Sequence, residues 1–206
     1  MDENKSATRE AEHILKKWKT LRSETVFDHR WYKVRRDEVQ LPDGRILDDY
    51  FVSVRPEVAL VFPITADGQV VMVRQYKHGA GEILLELPGG IIDPDDASAE
   101  VAALRELREE TGYTSQKLTK LATLHDDPTK NNNRFHLFLA EDAYVAGGQK
   151  LDHTEDITIE KIPVGELKSK VLNGEIKVAN SLAIIFLALE KLSRNPNPNL
   201  TGFKNP

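Results

Sequence analysis

Apolar and polar positions alternate with two different periods along this chain, and the changes of period mark out its elements. Over residues 7–21, apolar side chains recur at Ala11, Ile14, Leu15 and Trp18, the spacing of an amphipathic helix. Over residues 24–54 the repeat shortens to two: 31–34 and 37–41 read as strands, Pro42-Asp43-Gly44 as a turn and 46–54 as the returning strand, a small antiparallel unit. Residues 58–64 are a continuous apolar run, Ala66-Asp67-Gly68 supplies a turn and 69–76 alternate, which predicts a buried hairpin. Short strands are expected at 82–87, 117–124, 134–140 and 155–162, with a polar loop over 126–133. Residues 164–172 fit a short helix stopped by Asn173-Gly174, and 178–192 a longer one, apolar nearly all round and therefore buried. The last stretch, NPNPNLTGFKNP, offers little to bury and reads as a flexible tail. The pattern predicts an α/β sandwich with helices covering a mixed sheet. It divides as residues 1–54, an N-terminal extension; 55–193, the main domain; and 194–206, the tail.

The stretch LPGGIIDPDDASAEVAALRELREETGY, residues 87–113, stands apart from this scaffold. A helix is expected over about 97–111, with Asp95, Asp96 or Ser98 available as N-cap and Gly112 as a left-handed C-cap. At about 100° per residue, Ala97, Val101, Ala103, Leu104 and Leu107 share one arc and are assigned to the core. Glu106, Glu109 and Glu110 share another. Read plainly, those acids are a solvated helix face, but two features argue against it. Glu109 and Glu110 occupy the last turn, where the helix dipole disfavours negative charge. The three also repel one another at these spacings unless a cation joins them. Hard, oxygen-seeking Mg²⁺ or Mn²⁺ is the natural guest.

Composition narrows the classes of partner. With 206 residues and 40% hydrophobic content, the chain can bury one sizeable core. Its net charge of -5 gives no basic footprint for a nucleic acid polymer, while permitting a small phosphorylated ligand held through metal. The absence of cysteine removes disulfides, thiolate metal sites and cysteine nucleophiles. The charged N-terminal residues lack the apolar centre of a signal peptide and no apolar run reaches spanning length, so a cytoplasmic protein with no membrane partner is expected.

Gly90 followed by Arg105-Glu106-Leu107-Arg108-Glu109-Glu110-Thr111-Gly112-Tyr113 resembles the Nudix box, G-x5-E-x7-R-E-U-x-E-E-x-G-U, of Nudix hydrolases. The R-E-U-x-E-E-x-G half matches at every fixed position. The first half departs: five residues on from Gly90, Asp96 takes the place of the first Glu, and eight residues instead of seven separate it from Arg105; counting back from Arg105 puts Ala97 there. Over about residues 31–192 the chain is similar to the branch containing ADP-ribose pyrophosphatase and related nucleoside diphosphate sugar hydrolases. The supporting stretches are VVMVRQY at 70–76, LLELPGG at 84–90, FHLFLA at 135–140 and Gly174-Glu175-Ile176. The implied fold is the Nudix-type α/β/α sandwich with a mixed sheet and a small N-terminal antiparallel strand unit.

The resemblance implies cleavage of the pyrophosphate of a nucleoside diphosphate-linked small molecule to a nucleoside monophosphate and a phosphorylated second group. It makes Glu106 and Glu110 principal metal ligands, with Glu109 a further or water-mediated one and the Gly89 carbonyl a ligand from the turn. Arg105 is expected to orient the glutamates by salt bridge. The general base is expected from the loop Asp152-His153-Thr154-Glu155-Asp156, with Glu155 first and Asp156 next; His153 stands where some relatives carry an acid. Arg55 and Lys77 fall at basic positions that meet nucleotide or phosphate in relatives. Pro128, sixteen residues after Gly112, accompanies ADP-ribose hydrolysis in this branch. Trp31 and Tyr32 could stack on a base, although an aromatic pair on a strand is more often core. Relatives dimerise through N-terminal strands, which makes residues 20–54 a homodimer interface by resemblance. Three rival readings are a hydrolase of another dinucleotide cofactor, a non-catalytic nucleotide sensor on the same fold, and an acidic helix that serves as a protein-binding face.

Overall fold

The computed structural model describes residues 14–194, which fall into two compact units divided between Val54 and Arg55. The first is an antiparallel sheet, order β1-β2-β3, made of β1 (Lys19–His29), β2 (Tyr32–Gln40) and β3 (Ile46–Val54). The helix expected over 7–21 does not form in its described part: residues 14–18 have no regular structure and β1 begins at Lys19. Apolar spacing at Ile14, Leu15 and Trp18 had no face to bury, and all three are exposed. Thr20, Thr25, Val26 and Phe27 instead fit a strand that pairs with β2 along its length. Residues 7–13 and the expected flexible tail lie outside the described residues. Trp31 and Tyr32 sit at the tip of the β1–β2 hairpin and are exposed, which overturns the core reading for this pair.

In the second unit the chain runs through β4 (Val58–Pro63), β5 (Gln69–Lys77), β6 (Glu82–Glu86), β7 (Gly89–Ile91), α1 (Ala99–Thr111), β8 (Tyr113–Thr114) and β9 (Lys117–Leu124). It continues through β10 (Phe135–Glu141), β11 (Tyr144–Val145), β12 (Ile157–Pro163), a 3-10 turn (Val164–Glu166), α2 (Leu167–Leu172) and α3 (Ala179–Arg194). A mixed sheet, order β7-β4-β10-β9, has β4 and β10 parallel at its centre; β12-β5-β6 is a second, antiparallel sheet, and β11 pairs with β8. The expected 58–76 hairpin is therefore a crossing between two sheets, its strands meeting at a bridge between Ile64 and Val70 and at the Thr65–Gln69 hydrogen bonds of the turn. A continuous apolar run marks a strand covered on both faces, and β4 is such a strand.

Alternation along β4 and β10 makes the layers. Ala59, Val61, Phe138 and Ala140 face Ala102, Ala103 and Leu107 of α1. Leu60, Phe62, Leu137 and Leu139 face the larger core with Val70, Met72, Leu85, Ile162 and the Ile184, Ile185, Ala188 and Leu192 ridge of α3. Burying each Val, Leu, Ile, Phe or Met of this set contributes about 1.5–3 kcal/mol against the conformational entropy of folding. The expectation that α3 is buried all round is corrected by Phe186, 68% exposed, and by Leu182, Leu187 and Leu189, which are only partly covered. One buried polar link matters downstream: Ser181 Oγ of α3 accepts from the Leu87 amide at 3.0 Å, just ahead of the glycine turn.

Candidate active site

Helix α1 starts where Ser98 Oγ accepts from the Val101 amide (3.3 Å) and ends at Gly112, whose φ of 72° is the left-handed C-cap. Its orientation differs from the sequence expectation. Ala97 and Val101, assigned to the core, are exposed, while Glu106 and Glu110 are buried with Ala102, Ala103 and Leu107. The small residues on the helix and the glycines on β7 explain the rotation. A Cβ on Gly90 would lie 2.5 Å from Glu106 Oε1, and one on Gly89, at φ 151°, would lie 2.3 Å from the Ala59 carbonyl oxygen. Glycine at both places lets the carboxylates lie against the backbone of the turn. The Gly89 amide donates to Glu110 Oε2 at 2.8 Å.

Burial leaves the two acids poorly solvated. Desolvation pushes Glu106 up to about 7, opposed by Arg105 and reinforced by Glu109 and Glu155. Desolvation likewise pushes Glu110 up to about 8; the Gly89 amide and Lys77 oppose it, while Glu106 and Glu155 add to it. Burial thus makes the ionised form of both carboxylates costly, and the protein donors do not fully offset that cost. These groups fit a hard divalent cation, since its charge would satisfy what burial makes costly. Among the described residues no three acidic or histidine side chains already converge as a finished cage.

Arg105 organises the rim. Its guanidinium donates to Asp96 (3.1 and 2.8 Å), Glu106 (2.9 Å), Glu109 (2.9 Å) and the Ile91 carbonyl (2.9 Å). The Asp96 carboxylate is held below its usual range chiefly by that bond, with the Asp93 amide assisting. Asp96 is therefore an arginine anchor. The extra loop residue that breaks the first half of the motif is accommodated by a turn in which the Asp93 amide donates to the same carboxylate at 2.9 Å.

Glu155 enters from the segment between β11 and β12. The carbonyls at the end of α1 are taken up by residues 146–150: Ala146 N donates to Gly112 O (2.8 Å), Gln149 Nε2 to Glu110 O (2.7 Å) and to Ile157 O (3.2 Å), and Lys150 N to Glu109 O (2.8 Å). Those bonds relieve the helix end of the unpaired acceptors that would repel its acids. The half-buried Glu155 next accepts from the Asp152 amide through Oε2 (2.9 Å), and its charge is felt at both Glu106 and Glu110. Its exposed neighbour Asp156 instead lines a separate cavity of about 230 Å³ with Arg74, Gln75, Tyr76, Ile83 and Thr158. His153 is exposed.

Gly89, Arg105, Glu106, Glu109, Glu110, Lys77 and Glu155 are thus brought into one electrostatic neighbourhood. Arg55 and Pro128 are not: both are exposed, the Arg55 amide donates to Asn132 Oδ1 at 2.9 Å, and neither side chain bonds to the acids. Sequence reasoning missed Glu86, a buried acid whose Oε1 lies 2.9 Å from Lys77 Nζ. The signal was available: LLELPGG sets a carboxylate inside an apolar run, and such a residue is rarely buried without a partner.

Comparison with known proteins follows the same division of the chain. Residues 54–180 match the NUDIX domain model, and residues 18–53 match the nucleoside diphosphate sugar hydrolase N-terminal domain model. An ADP-ribose pyrophosphatase of Mycobacterium tuberculosis is 33% identical over 95% of this chain and 89% of that protein. An ADP-ribose pyrophosphatase of Bacillus subtilis is 30% identical over 84% of this chain and 94% of that protein. A crystal structure titled as an ADP compounds hydrolase superposes with a TM-score of 0.79 and 26% identity, covering 89% of this chain and 98% of that one.

Proposed function

The chain belongs to the Nudix family, and from that premise we propose that it hydrolyses the pyrophosphate bond of ADP-ribose or a related nucleoside diphosphate sugar, with Mg²⁺ as its working cation and Mn²⁺ as a substitute. The observation that carries this reading is the buried Glu106–Glu110 pair packed on the Gly89-Gly90 turn, with the charge of Glu155 felt at both. Glu106 and Glu110, with Glu109 and the Gly89 carbonyl, would hold the cation, which when bound supplies charge neutralisation of the diphosphate and lowers the pKa of water.

The protein's own groups do the rest. Water oxygen bonds to one phosphorus as the bridging P–O bond breaks, giving a nucleoside monophosphate and a sugar phosphate. Glu155 takes the proton from water. Because Oε2 is tied to the Asp152 amide, Oε1 is the oxygen left for that transfer. Arg105 fixes the glutamates at the positions that reaction geometry needs, and does so without touching substrate. Lys77 offers positive charge to the diphosphate beside Glu110, while Arg55 and the Pro128 loop contact the nucleotide end.

The reading includes a homodimer formed through residues 20–54. Its support is the exposed apolar set Val26, Phe27, Trp31, Tyr32, Ile46 and Phe51 on β1–β3. Equilibrium sedimentation giving only the 23.2 kDa monomer would reject it. For the activity, the purified protein with Mg²⁺ is expected to release AMP from ADP-ribose, and Glu110→Gln to abolish release. No monophosphate from ADP-ribose, ADP-glucose, GDP-mannose or dinucleotides would sink the enzyme reading. Nucleotide binding without turnover, unchanged in Glu110→Gln, would favour a sensor.

A further inference from the structure

We propose that Glu86 is a positioning residue, which sets Lys77 in place to receive the diphosphate of the substrate; the inference rests on the reading of Lys77 given above. Glu86 ends β6 and pairs in register with Val73 of β5, while Lys77 ends β5 beside Glu82, so the two side chains come from neighbouring strands of one antiparallel sheet. Glu86 is buried, with 11% of its side chain exposed, and Lys77 Nζ lies 2.9 Å from its Oε1. That oxygen makes no directed hydrogen bond and has essentially no contact with solvent. The contact is therefore an ion pair off the hydrogen-bonding direction.

A buried carboxylate with one off-axis partner is costly to keep, and it persists where a second demand holds it. Here the demand is the placing of the ammonium. Lys77 pairs with this fixed anion on the strand, and its charge is also felt at Glu110 of α1. A lysine stem has four rotatable carbons, and 41% of this side chain is exposed, so the ion pair with Glu86 restricts an ammonium that the stem alone would leave free to move. Because the pair is unaligned, the ammonium keeps N–H donors for phosphate oxygens. Glu86 is three residues before Gly89 and shares its chain segment, so the lysine is registered to the same turn that supports Glu110.

The test is a four-protein cycle: the natural chain, Lys77→Met, Glu86→Gln and the double variant, each assayed with ADP-ribose at saturating Mg²⁺ for kcat and KM, and each melted to establish that it folds. Lys77→Met is expected to raise KM about tenfold with kcat within about threefold, the signature of lost substrate binding. Glu86→Gln is expected to do the same at an unchanged half-saturating Mg²⁺ concentration, and the double variant to be no worse than the poorer single one. A general loss of structure would not leave kcat and the Mg²⁺ requirement intact. If Glu86→Gln fails to fold, Glu86→Asp keeps the buried charge, withdraws it by one methylene and is expected to raise KM about threefold. Multiplying losses in the double variant, or a Glu86 variant with unaltered KM beside an impaired Lys77→Met, overturns the positioning role alone. An unimpaired Lys77→Met overturns the reading of Lys77 and this inference with it, while AMP release from ADP-ribose still stands or falls separately.

Discussion

Replacing Gly90 by alanine isolates the close approach between the glycine turn and helix α1. The added Cβ would meet Glu106 Oε1 at 2.5 Å and Cδ at 2.6 Å, where ordinary contact begins near 3.4 Å. The carboxylate must therefore retreat by about 0.9 Å. Gly90, unlike Gly89, holds no left-handed φ, so the backbone tolerates alanine and the whole penalty falls on one side chain. That side chain also bonds to Arg105 at 2.9 Å, and its retreat drags on the rim. A misplacement of about 1 Å at a reacting site costs up to roughly 10²-fold in rate. Gly90→Ala is expected to keep its melting temperature within a few degrees, to lose about 30- to 100-fold in kcat on ADP-ribose and to need more Mg²⁺ for half activation. Steady-state kinetics across a Mg²⁺ titration, beside a melt, reads all three. A variant with kcat within threefold and an unshifted Mg²⁺ midpoint would refute the assignment of Glu106 as a ligand seated on the turn.

Other outcomes follow from the same geometry. Glu106 and Glu110 ionise at about 7 and 8 in the fold against a usual 4.5, so the folded state holds protons that the unfolded chain releases. Without cation, the stability they contribute is complete below pH 4.5 and is lost as pH rises through 7 to 8; melts in EDTA should show this decline, and Mg²⁺ should raise the melting temperature at pH 8 far more than at pH 5. Arg105→Ala removes the shared partner of Asp96, Glu106 and Glu109 and is expected to cost about 2 kcal/mol by urea denaturation, with a fall in kcat. Glu155→Gln should lower kcat at least 100-fold with little change in KM, whereas Asp156→Asn should stay within threefold; the reverse ranking would move the base to Asp156. Leu107→Ala, at a fully buried position, is expected to cost roughly 3 kcal/mol by denaturant titration.

Much of the fold was legible because its elements carry local signals. Ser98 and Gly112 bracket α1 as caps, β9 has its expected limits, and Asn173-Gly174 ends α2. Errors arose where a tertiary partner decided. Residues 14–21 have helical apolar spacing, yet pairing with β2 claimed residues 19–21 for a strand. The run over 58–64 looked like half a hairpin because sequence adjacency carries no information about β10, which arrives some seventy residues later to pair beside it. At the site, residue types and spacing singled out Glu106, Glu109 and Glu110 as candidates, but not which arc of the helix was buried. That depended on Gly90 opposite, a contact no helical periodicity encodes. Glu86 and the anchoring of Arg105 by Asp96 likewise arise from strand register and loop shape.

The segment that closes the end of α1 sets a length standard for the site. Residues 146–150 are fastened to the last helical turn at Gly112, Glu110 and Glu109, and Gln149 reaches on to Ile157 at the head of β12. Between these fixed ends, 151–156 form a tether with a single carboxylate turned inward. A Cβ on Gly112 would strike the Gly147 carbonyl at 2.4 Å, so the upstream fastening admits no slack, while Cβ atoms on Gly147 and Gly148 would meet only open space. Insertions or deletions in this family member are therefore not equivalent along the segment. One residue added at 152–154 would lengthen the tether and carry Glu155 away from a helix left undisturbed, and one removed at 147–148 would pull on the helix end itself.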